Sequence, residues 1–373
     1  MRIAINARFL ISNKLEGFGR FSYETLRLIV KNNEQHHFIF FFDRPYDSAF
    51  IFGDNVTPVV LYPPARHPFL FYIWFELMLP KALKKHKADI FFTPDGYCSL
   101  RSKIKTISVV HDLAFFHFND HVNGLMQKYY EYFFPKFIYR ASKIVTVSNF
   151  VKNDILQFFP TIDKEKILVA CNGVSHDFVP LAESDKSEVR HKYAQGNPYF
   201  FYVGAVQPRK NIARLIAAFS SFKEKDQTNM QLLIAGRMAW KTEETIEALA
   251  QSKHKNDIKF LGFVSNAELA RLVASATALV YVSLFEGFGI PIIEAFHAEV
   301  PVVTSNCSSM PEVAGDAALL VDPYNIEEIS NALTKISTDQ QLRQQLIQKG
   351  SVQKLKFSWE KAATVIQEAI FSE

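Results

Sequence analysis

Two carboxylates lie close together in the segment FEGFGIPIIEA, residues 285–295: Glu286 and Glu294. The glycines between them permit tight turns that expose the backbone, and Pro291 suits the first turn of a helix, where its missing N–H is not needed. The N–H groups at a helix start attract anions. The segment therefore predicts a phosphate-accepting helix terminus flanked by two carboxylates, with Glu294 in the first turn. A surface loop with a first-turn glutamate is the alternative, because the same spacing occurs twice elsewhere in the chain.

Two basic residues, Arg209 and Lys210, also lie just before a predicted helix, in the segment VGAVQPRKN, residues 203–211. This segment follows an apolar run, turns at Gly204, and precedes a predicted helix over 212–222. Arg209 and Lys210 at the mouth of that helix can neutralise a diphosphate without a metal ion. The alternative is a pair of solvated basic residues in a loop.

The first glycine turn of the chain is EGFGR, residues 16–20, between the first predicted strand and helix. Gly17 and Gly19 allow another molecule to approach the backbone closely. Ser22 occupies the place of the third glycine of a dinucleotide fingerprint, so NAD binding is not favoured.

A histidine follows the apolar run TISVV, at the carboxyl end of a predicted strand, where site residues of α/β sheets cluster. A neutral His111 imidazole there can hydrogen-bond a sugar or a phosphate, and a structural histidine is the alternative. The other histidines show no metal-ligand spacing, and the three cysteines are far apart, so no metal site is predicted. Nucleophile-elbow, zinc-protease and Walker motifs are absent from the sequence.

Short apolar runs alternate with amphipathic stretches along the whole chain, which predicts an α/β protein with two doubly wound sheets. The first domain is expected over 1–178 and the second over 196–356, joined by a polar linker within 172–197. The segment 357–373 is predicted to be an amphipathic helix, and its periodicity does not indicate which domain it packs on. Ligands of such sheets bind at the carboxyl ends of the strands.

Composition and charge indicate which partners and which cellular location to expect. The chain has 373 residues and a net charge of +4, with 22 basic and 16 acidic residues up to position 178, or +6. That basic half favours a phosphate-bearing partner or an anionic surface. The longest apolar run, 69–79, is shorter than the ~20 residues of a membrane-spanning helix. Asn6 and Arg8 interrupt the first apolar run, so no export signal is predicted and a cytoplasmic protein is expected.

Several ordered motifs together resemble the GT4-type family of retaining glycosyltransferases, in its mannosyltransferase-like branch. The resemblance covers nearly the whole chain. It is carried by VGAVQPRKN and EGFGIPIIEA together with four further segments, which are TVSNFVKNDI (146–155), CNGVSHDFVP (171–180), SSMPEVAGDAALLVDP (308–323) and FSWEKAA (357–363). It implies a GT-B fold, in which two Rossmann-like domains face a cleft that holds the active site. It also implies that the C-terminal helix, 357–373, crosses back to complete the first domain.

The resemblance also implies a role for each site residue. Glu286 is expected to contact hydroxyls of the transferred sugar, Glu294 the ribose of the nucleotide, and His111 the donor sugar. The catalytic set comprises Glu286, Lys210, Arg209 and His111. Six further residues are expected to bring their backbone close to the donor: Gly17, Gly19, Gly204, Phe288, Gly289 and Ile290. No cofactor or metal is implied, because the nucleotide sugar is itself the substrate.

The donor and the acceptor are less determined. The mannosyl-type motifs make GDP-mannose the first expectation, transferred to a saccharide or lipid-linked saccharide. UDP-sugar transfer, a nucleotide-sugar 2-epimerase and a non-catalytic nucleotide-binding subunit are the alternatives, and nucleic acid is not an expected partner. Aromatic residues and lysines in segment 67–89 predict peripheral contact with an anionic membrane, at its inner face, with a core helix and a basic turn as the alternative.

Overall fold

Nearly continuous apolar runs form the strands, as a parallel sheet covered on both faces requires. In the run HFIFFF, for example, five of the six residues are buried. The structure is a computed structural model that describes residues 1–12, 15, 17–118 and 124–372; Glu16 of the first glycine turn lies outside the described residues. The chain forms two compact units, one of Met1–Asn172 with Ser358–Glu373 and one of Gly173–Phe357.

The first unit is built on a parallel sheet of seven strands in the order β3-β2-β1-β4-β5-β6-β7. Its strands are β1 Arg2–Asn6, β2 His37–Phe42, β3 Val56–Val60, β4 Ile90–Thr93, β5 Lys105–Val110, β6 Lys143–Thr146 and β7 Ile167–Val169. All six pairings are parallel. The sequence pattern did not predict β3, which contains Pro58; a proline is tolerated there because β3 is an edge strand.

Helices cover this sheet. They are α1 Phe18–Asn32, α2 Pro68–Ile73, α3 Leu79–Lys85, α4 Ala114–His117, α5 Gly124–Arg140, α6 Asn149–Phe158 and the C-terminal α15 Trp359–Phe371. A π-helical turn over Trp74–Met78 joins α2 to α3. The C-terminal helix packs against α1, β6 and β7, and the Trp359 ring meets the Phe21 ring edge to face at 6.2 Å between centroids.

The second unit has a parallel sheet of six strands in the order β10-β9-β8-β11-β12-β13. The strands are β8 Tyr199–Val203, β9 Gln231–Ala235, β10 Ile258–Gly262, β11 Ala278–Tyr281, β12 Val302–Ser305 and β13 Ala318–Val321. The order reverses at β8, whose neighbours β9 and β11 belong to different halves of the sheet. Such a reversal is where α/β sheets open a crevice for ligands.

The helices of the second unit are α7 Glu183–Ala194, α8 Ile212–Asp226, α9 Glu243–Gln251, α10 Asn266–Ala274, α11 Ile290–His297, α12 Met310–Ala314, α13 Ile326–Thr338 and α14 Gln340–Gln353. Ser265 caps α10 by accepting a hydrogen bond from the Glu268 N–H, as its capping box predicts. The prediction of a polar linker within 172–197 is wrong, because this segment contains α7, which packs on α10. Acidic residues in its first turn and basic residues in its last stabilise this polar helix.

Candidate functional site

The basic turn of the second unit lies directly after β8. Pro208–Lys210 form a single 3₁₀ turn, and Asn211 then adopts a left-handed conformation with φ of 62° before α8 begins. The buried Asn211 side chain donates hydrogen bonds to the carbonyls of Val282 at 3.0 Å and Pro323 at 2.7 Å. These bonds tie the turn to the loops beyond β11 and β13, so the two cations occupy a defined position at the carboxyl edge of the sheet.

Glu286, in the loop after β11, binds both cations. Its Oε1 accepts a hydrogen bond from Lys210 Nζ at 2.5 Å, and its Oε2 accepts one from Arg209 at 3.1 Å. The Tyr281 hydroxyl, at the end of β11, also donates to Oε1 at 2.9 Å. The three charged side chains are only 9–17% exposed. Two cations against one carboxylate sum to one positive charge, which suits an anionic ligand.

These contacts keep Glu286 ionised. Burial raises the pKa of the Glu286 carboxyl, but the charges of Lys210 and Arg209 outweigh burial and hold the pKa at about 2. Burial, with the nearby Glu286 charge, raises the pKa of Tyr281 well above its usual value. At neutral pH the carboxylate is therefore a hydrogen-bond acceptor and the phenol a donor. Tyr281 was missed in the sequence because it reads as one more apolar strand residue.

Two serines, Ser308 and Ser309, form hydrogen bonds with the backbone of the loop that begins at Glu286. The Glu286 N–H donates to Ser308 Oγ at 3.1 Å, and Ser309 Oγ donates to the carbonyls of Glu286 and Phe288. Gly289 has φ of 97°, a conformation that glycine adopts readily. Helix α11 then starts at Ile290 with Pro291 in its first turn, as predicted.

The prediction that Glu294 lies in the first turn of α11 is wrong. Glu294 is the fifth residue of α11, so it lies beyond the first turn, and it is half-buried. The helix begins only at Ile290 because Gly289 interrupts helical geometry there. Of the two glutamates, only Glu286 lies before the α11 terminus.

A close approach of two glycines supports the basic turn. Gly204, at the end of β8, has φ of 147°, and its carbonyl oxygen would lie 2.0 Å from a Cβ on Gly236. Gly236 follows β9, so the two loops pack backbone against backbone. Any side chain at Gly236 would push the segment that leads to Arg209 out of place.

The carboxyl edge of the first unit carries His111, directly after β5. Its Nε2 lies 2.8 Å from the Pro94 carbonyl oxygen, and its ring contacts Phe18 and Phe21 at 4.5 and 4.8 Å between centroids. Burial lowers the pKa of His111 to about 4. Because a carbonyl oxygen only accepts, Nε2 is the donor, and Nδ1 of the neutral ring is an acceptor.

The predicted glycine turn lies beside this histidine. Gly17 is exposed with φ of 45° at the start of α1, and Gly19 is buried in the first turn. Phe18, between the two glycines, carries the contact to the His111 ring. The structure thus brings His111, Gly17 and Gly19 to one place within the first unit.

A second cluster at the same edge was missed. The Arg8 guanidinium forms an ion pair with Asp95 at 2.6 Å, and both side chains are at most 4% exposed. Asn6, the last residue of β1, donates to Asp95 at 2.8 Å. Five aromatic rings, those of Phe9, Phe71, Trp74, Phe75 and Tyr97, surround the guanidinium at 4.8–5.6 Å. The available signal was the pair of polar residues, Asn6 and Arg8, at the end of an apolar strand.

Metal ions require defined sets of ligand side chains. Within residues 1–12, 15, 17–118 and 124–372, no group of three His, Cys, Asp or Glu side chains is arranged to hold a metal ion. Over the same part of the chain, no helix combines the length and the apolar character needed to cross a bilayer.

Two family models match the sequence. Residues 16–178 match Glycosyltransferase Family 4, and residues 183–353 match Glycosyl transferases group 1. O-antigen chain mannosyltransferase B of Escherichia coli is 31% identical over 286 residues, which are 76% of this chain and 74% of that protein. O-antigen chain mannosyltransferase RfbU of Salmonella typhimurium is 30% identical over 239 residues, 61% of this chain and 62% of that protein.

Solved structures share the fold. HepE of Anabaena, in complex with UDP and glucose, superposes with a TM-score of 0.78 at 17% identity over 100% of both chains. WaaG, a glycosyltransferase involved in lipopolysaccharide biosynthesis, superposes with a TM-score of 0.77 at 16% identity, again over 100% of both chains. The chain therefore belongs to the GT4 family of glycosyltransferases, and it is a glycosyltransferase with the GT-B fold.

Proposed function

We propose that the protein is a retaining mannosyltransferase that moves mannose from GDP-mannose to a saccharide or lipid-linked saccharide, without a metal ion. The observation that carries this proposal is the contact of Arg209 and Lys210 with Glu286 beside the start of α11. The mannosyltransferase relatives support mannose as the transferred sugar.

The basic turn suits the leaving group. As the glycosidic bond to the nucleotide breaks, negative charge grows on the diphosphate. Arg209 and Lys210 donate hydrogen bonds to its oxygens, and the N–H groups of Phe288, Gly289 and Ile290 at the α11 terminus add their dipoles. Fixed donors directed at developing charge need no reorganisation during the reaction, so they lower the barrier.

Glu286 serves two purposes in this proposal. Its carboxylate positions the two cations, and its remaining acceptor capacity receives a hydrogen bond from a sugar hydroxyl. With a pKa of about 2 it carries no proton to donate at neutral pH. We propose that the acceptor hydroxyl attacks the anomeric carbon from the face that the diphosphate leaves. As the bond from that carbon to the diphosphate breaks, the departing phosphate oxygen takes the hydroxyl proton, and the anomeric configuration is retained.

The remaining predicted residues hold the donor. Nδ1 of neutral His111 accepts a hydrogen bond from a hydroxyl of the donor sugar. Gly17, Gly19 and Gly204 let the ligand approach the backbone. The half-buried Glu294 on α11 accepts from the ribose hydroxyls of the nucleotide.

A thermal-shift panel with GDP, UDP, ADP and NAD tests the nucleotide. A ligand at ~100 times its dissociation constant adds about 2.7 kcal/mol, so the cognate nucleotide raises Tm visibly. We expect stabilisation by GDP. Stabilisation by UDP alone would overturn the donor. No shift with any of the four would favour a non-catalytic binding module or an enzyme that binds its acceptor first.

Turnover of GDP-mannose with saccharide acceptors tests the reaction. We expect GDP release to require an acceptor, to continue in excess EDTA, and to give an α-linked product by NMR. An isomerised nucleotide sugar formed without acceptor would identify an epimerase instead. Loss of turnover in EDTA, restored by a divalent cation, would contradict metal independence.

A further inference from the structure

One surface of the first unit combines exposed aromatic rings with lysines. On α5, Lys128, Tyr132, Lys136 and Tyr139 are spaced by four, four and three residues, so they share one stripe of the helix. All four are exposed, Tyr132 to 61% and Tyr139 to 49%. The Lys136 ammonium lies 3.1 Å from the centre of the Tyr132 ring.

Helix α2 lies beside one flank of this stripe. The Tyr72 ring of α2 lies 6.2 Å from the ring of Phe133, which is about 100° around α5 from Tyr132. Phe69, also on α2, is 65% exposed. Arg101 donates to the Tyr72 hydroxyl at 3.0 Å, which adds a third positive charge. We call the surface formed by Phe69, Tyr72, Lys128, Tyr132, Lys136 and Tyr139 the aromatic–basic face.

The sequence prediction located membrane contact in residues 67–89, and the structure divides that segment. Trp74, Phe75, Leu79 and Leu83 are buried in the core, whereas Phe69 remains exposed. The exposed part of α2 packs against α5, so both helices contribute to the exposed aromatic surface of the first unit.

We propose that the aromatic–basic face is a peripheral docking surface for an anionic lipid bilayer. Charge complementarity favours this occupant, because α5 carries Lys128, Lys136 and Arg140 against a single acid, Glu131. Glu131 lies about 100° around the helix from Tyr132 and accepts a hydrogen bond from Gln127 at 2.9 Å, so it stands beside the stripe.

The side-chain chemistry matches the lipid interface. Tyrosine rings sit at headgroup depth, where the apolar ring and the hydroxyl are both satisfied. Lysines reach outward to lipid phosphates while their stems lie along apolar surface. Phe69 projects as an apolar side chain toward the acyl boundary. Single-stranded nucleic acid would use a denser track of cations along its phosphates, which this face lacks.

Sedimentation with vesicles tests the face on the full chain. We expect the protein to sediment with 70:30 phosphatidylcholine:phosphatidylglycerol vesicles, weakly with pure phosphatidylcholine, and less as salt rises. The double variant Lys128→Glu/Lys136→Glu should lose at least about tenfold in partition coefficient. The matched control Lys253→Glu/Lys255→Glu makes the same charge change at exposed residues of the second unit and should bind as the wild type does.

Two further readouts separate this surface from general basicity and from catalysis. Tyr132→Trp should show a blue-shifted emission component with anionic vesicles that the wild type lacks. Turnover on a soluble acceptor without vesicles should be unchanged in Lys128→Glu/Lys136→Glu, so a failure of the lipid face is distinct from a failure of the enzyme. Absence of wild-type sedimentation, or equal loss in both double variants, would overturn the proposal, as would displacement from vesicles by an oligonucleotide that binds this face.

Discussion

The carboxyl edges of the two sheets both carry ionised side chains, but they balance charge differently. At the first edge, one cation meets one carboxylate, Arg8 with Asp95, and the side chains are 4% and 0% exposed. At the second edge, two cations meet one carboxylate, and these side chains are 9–17% exposed. The first cluster is neutral in sum and sealed by aromatic rings, whereas the second is positive in sum and partly open.

Under the proposed function, this difference separates a structural cluster from a ligand-binding one. A balanced, buried ion pair fixes the two strands from which it comes, and removal of one partner leaves a charge without compensation. A cluster with excess positive charge gains most when an anion arrives. The two sheets thus present different chemistry at their carboxyl edges. His111 at the first edge is a neutral hydrogen-bonding group, whereas Arg209 and Lys210 at the second edge are positively charged.

The largest expected effect is on stability, at the first edge. Arg8→Met should lower the free energy of unfolding by about 3–5 kcal/mol, because Asp95 stays buried without its partner. Urea unfolding followed by circular dichroism measures this. The double variant Arg8→Met/Asp95→Asn removes both charges and should recover much of the loss. An Arg8→Met protein as stable as the wild type would break the distinction between the two edges.

The next effect is on activity, at the second edge. Lys210→Ala should lower kcat by about 10²–10³-fold, as removal of a fixed donor to developing charge does, with a smaller change in Tm than Arg8→Met causes. Steady-state release of the nucleoside diphosphate measures it. Lys253→Ala is the control, since that side chain of the same unit is 82% exposed. Near-normal turnover would remove Lys210 from the mechanism.

Two stacked tyrosines sharpen the comparison within the second unit. The Tyr281 and Tyr202 rings lie 5.9 Å apart, and both are buried. The Tyr281 hydroxyl bonds Glu286 and Lys210, whereas the Tyr202 hydroxyl has no hydrogen-bond partner among the described residues. Tyr281→Phe should lower kcat/KM about tenfold, because a hydrogen bond to a charged group contributes about 1.5–3 kcal/mol.

Tyr202→Phe is its matched control. Removing a buried hydroxyl without a partner is neutral or stabilising, so this variant should keep its activity and its Tm, or raise the Tm. Equal losses in the two variants would show that both act through packing, and that Tyr281 does not position Glu286.

The smallest effect concerns pH at the first edge. The pKa of His111 is about 4 in the folded chain and near 6.5 when unfolded. The unfolded state therefore binds more protons between these values, and stability falls as the pH drops from 6.5 toward 4. After discounting for partial exposure, we expect a loss of about 1–2 kcal/mol. His111→Gln should flatten this part of the Tm–pH curve, and an unchanged slope would refute the contribution of His111.

Local patterns were enough to find most of the second edge. Arg209, Lys210 and Glu286 each follow an apolar strand beside glycine or proline, so the sequence marks them without tertiary information. Their mutual contact could not be read, because it depends on β8 and β11 being neighbours although β9 and β10 lie between them in the chain. Glu294 was placed one turn too early because Gly289, rather than the carboxylate spacing, determines where α11 starts.

The first edge was harder to predict for the same reason. Arg8 and Asp95 are 87 residues apart and meet only because β1 and β4 pair. The aromatic–basic face likewise needs α2 beside α5, two helices separated by two strands in the sequence. The short apolar runs of the sequence predicted most strands of both sheets. Strand β3 was not predicted because it contains Pro58, and α7 was mistaken for a linker because its residues are polar.

The central claim is that Arg209 and Lys210 hold the diphosphate of a guanosine nucleotide. The most direct test is calorimetric titration of GDP and of GMP into the wild type and into Lys210→Ala. The account predicts that the wild type binds GDP at least about tenfold more tightly than GMP, since charge-assisted bonds to the second phosphate are strong, and that Lys210→Ala loses most of this preference. Unchanged GDP affinity in Lys210→Ala, or a preference for GDP that persists without Lys210, would contradict it.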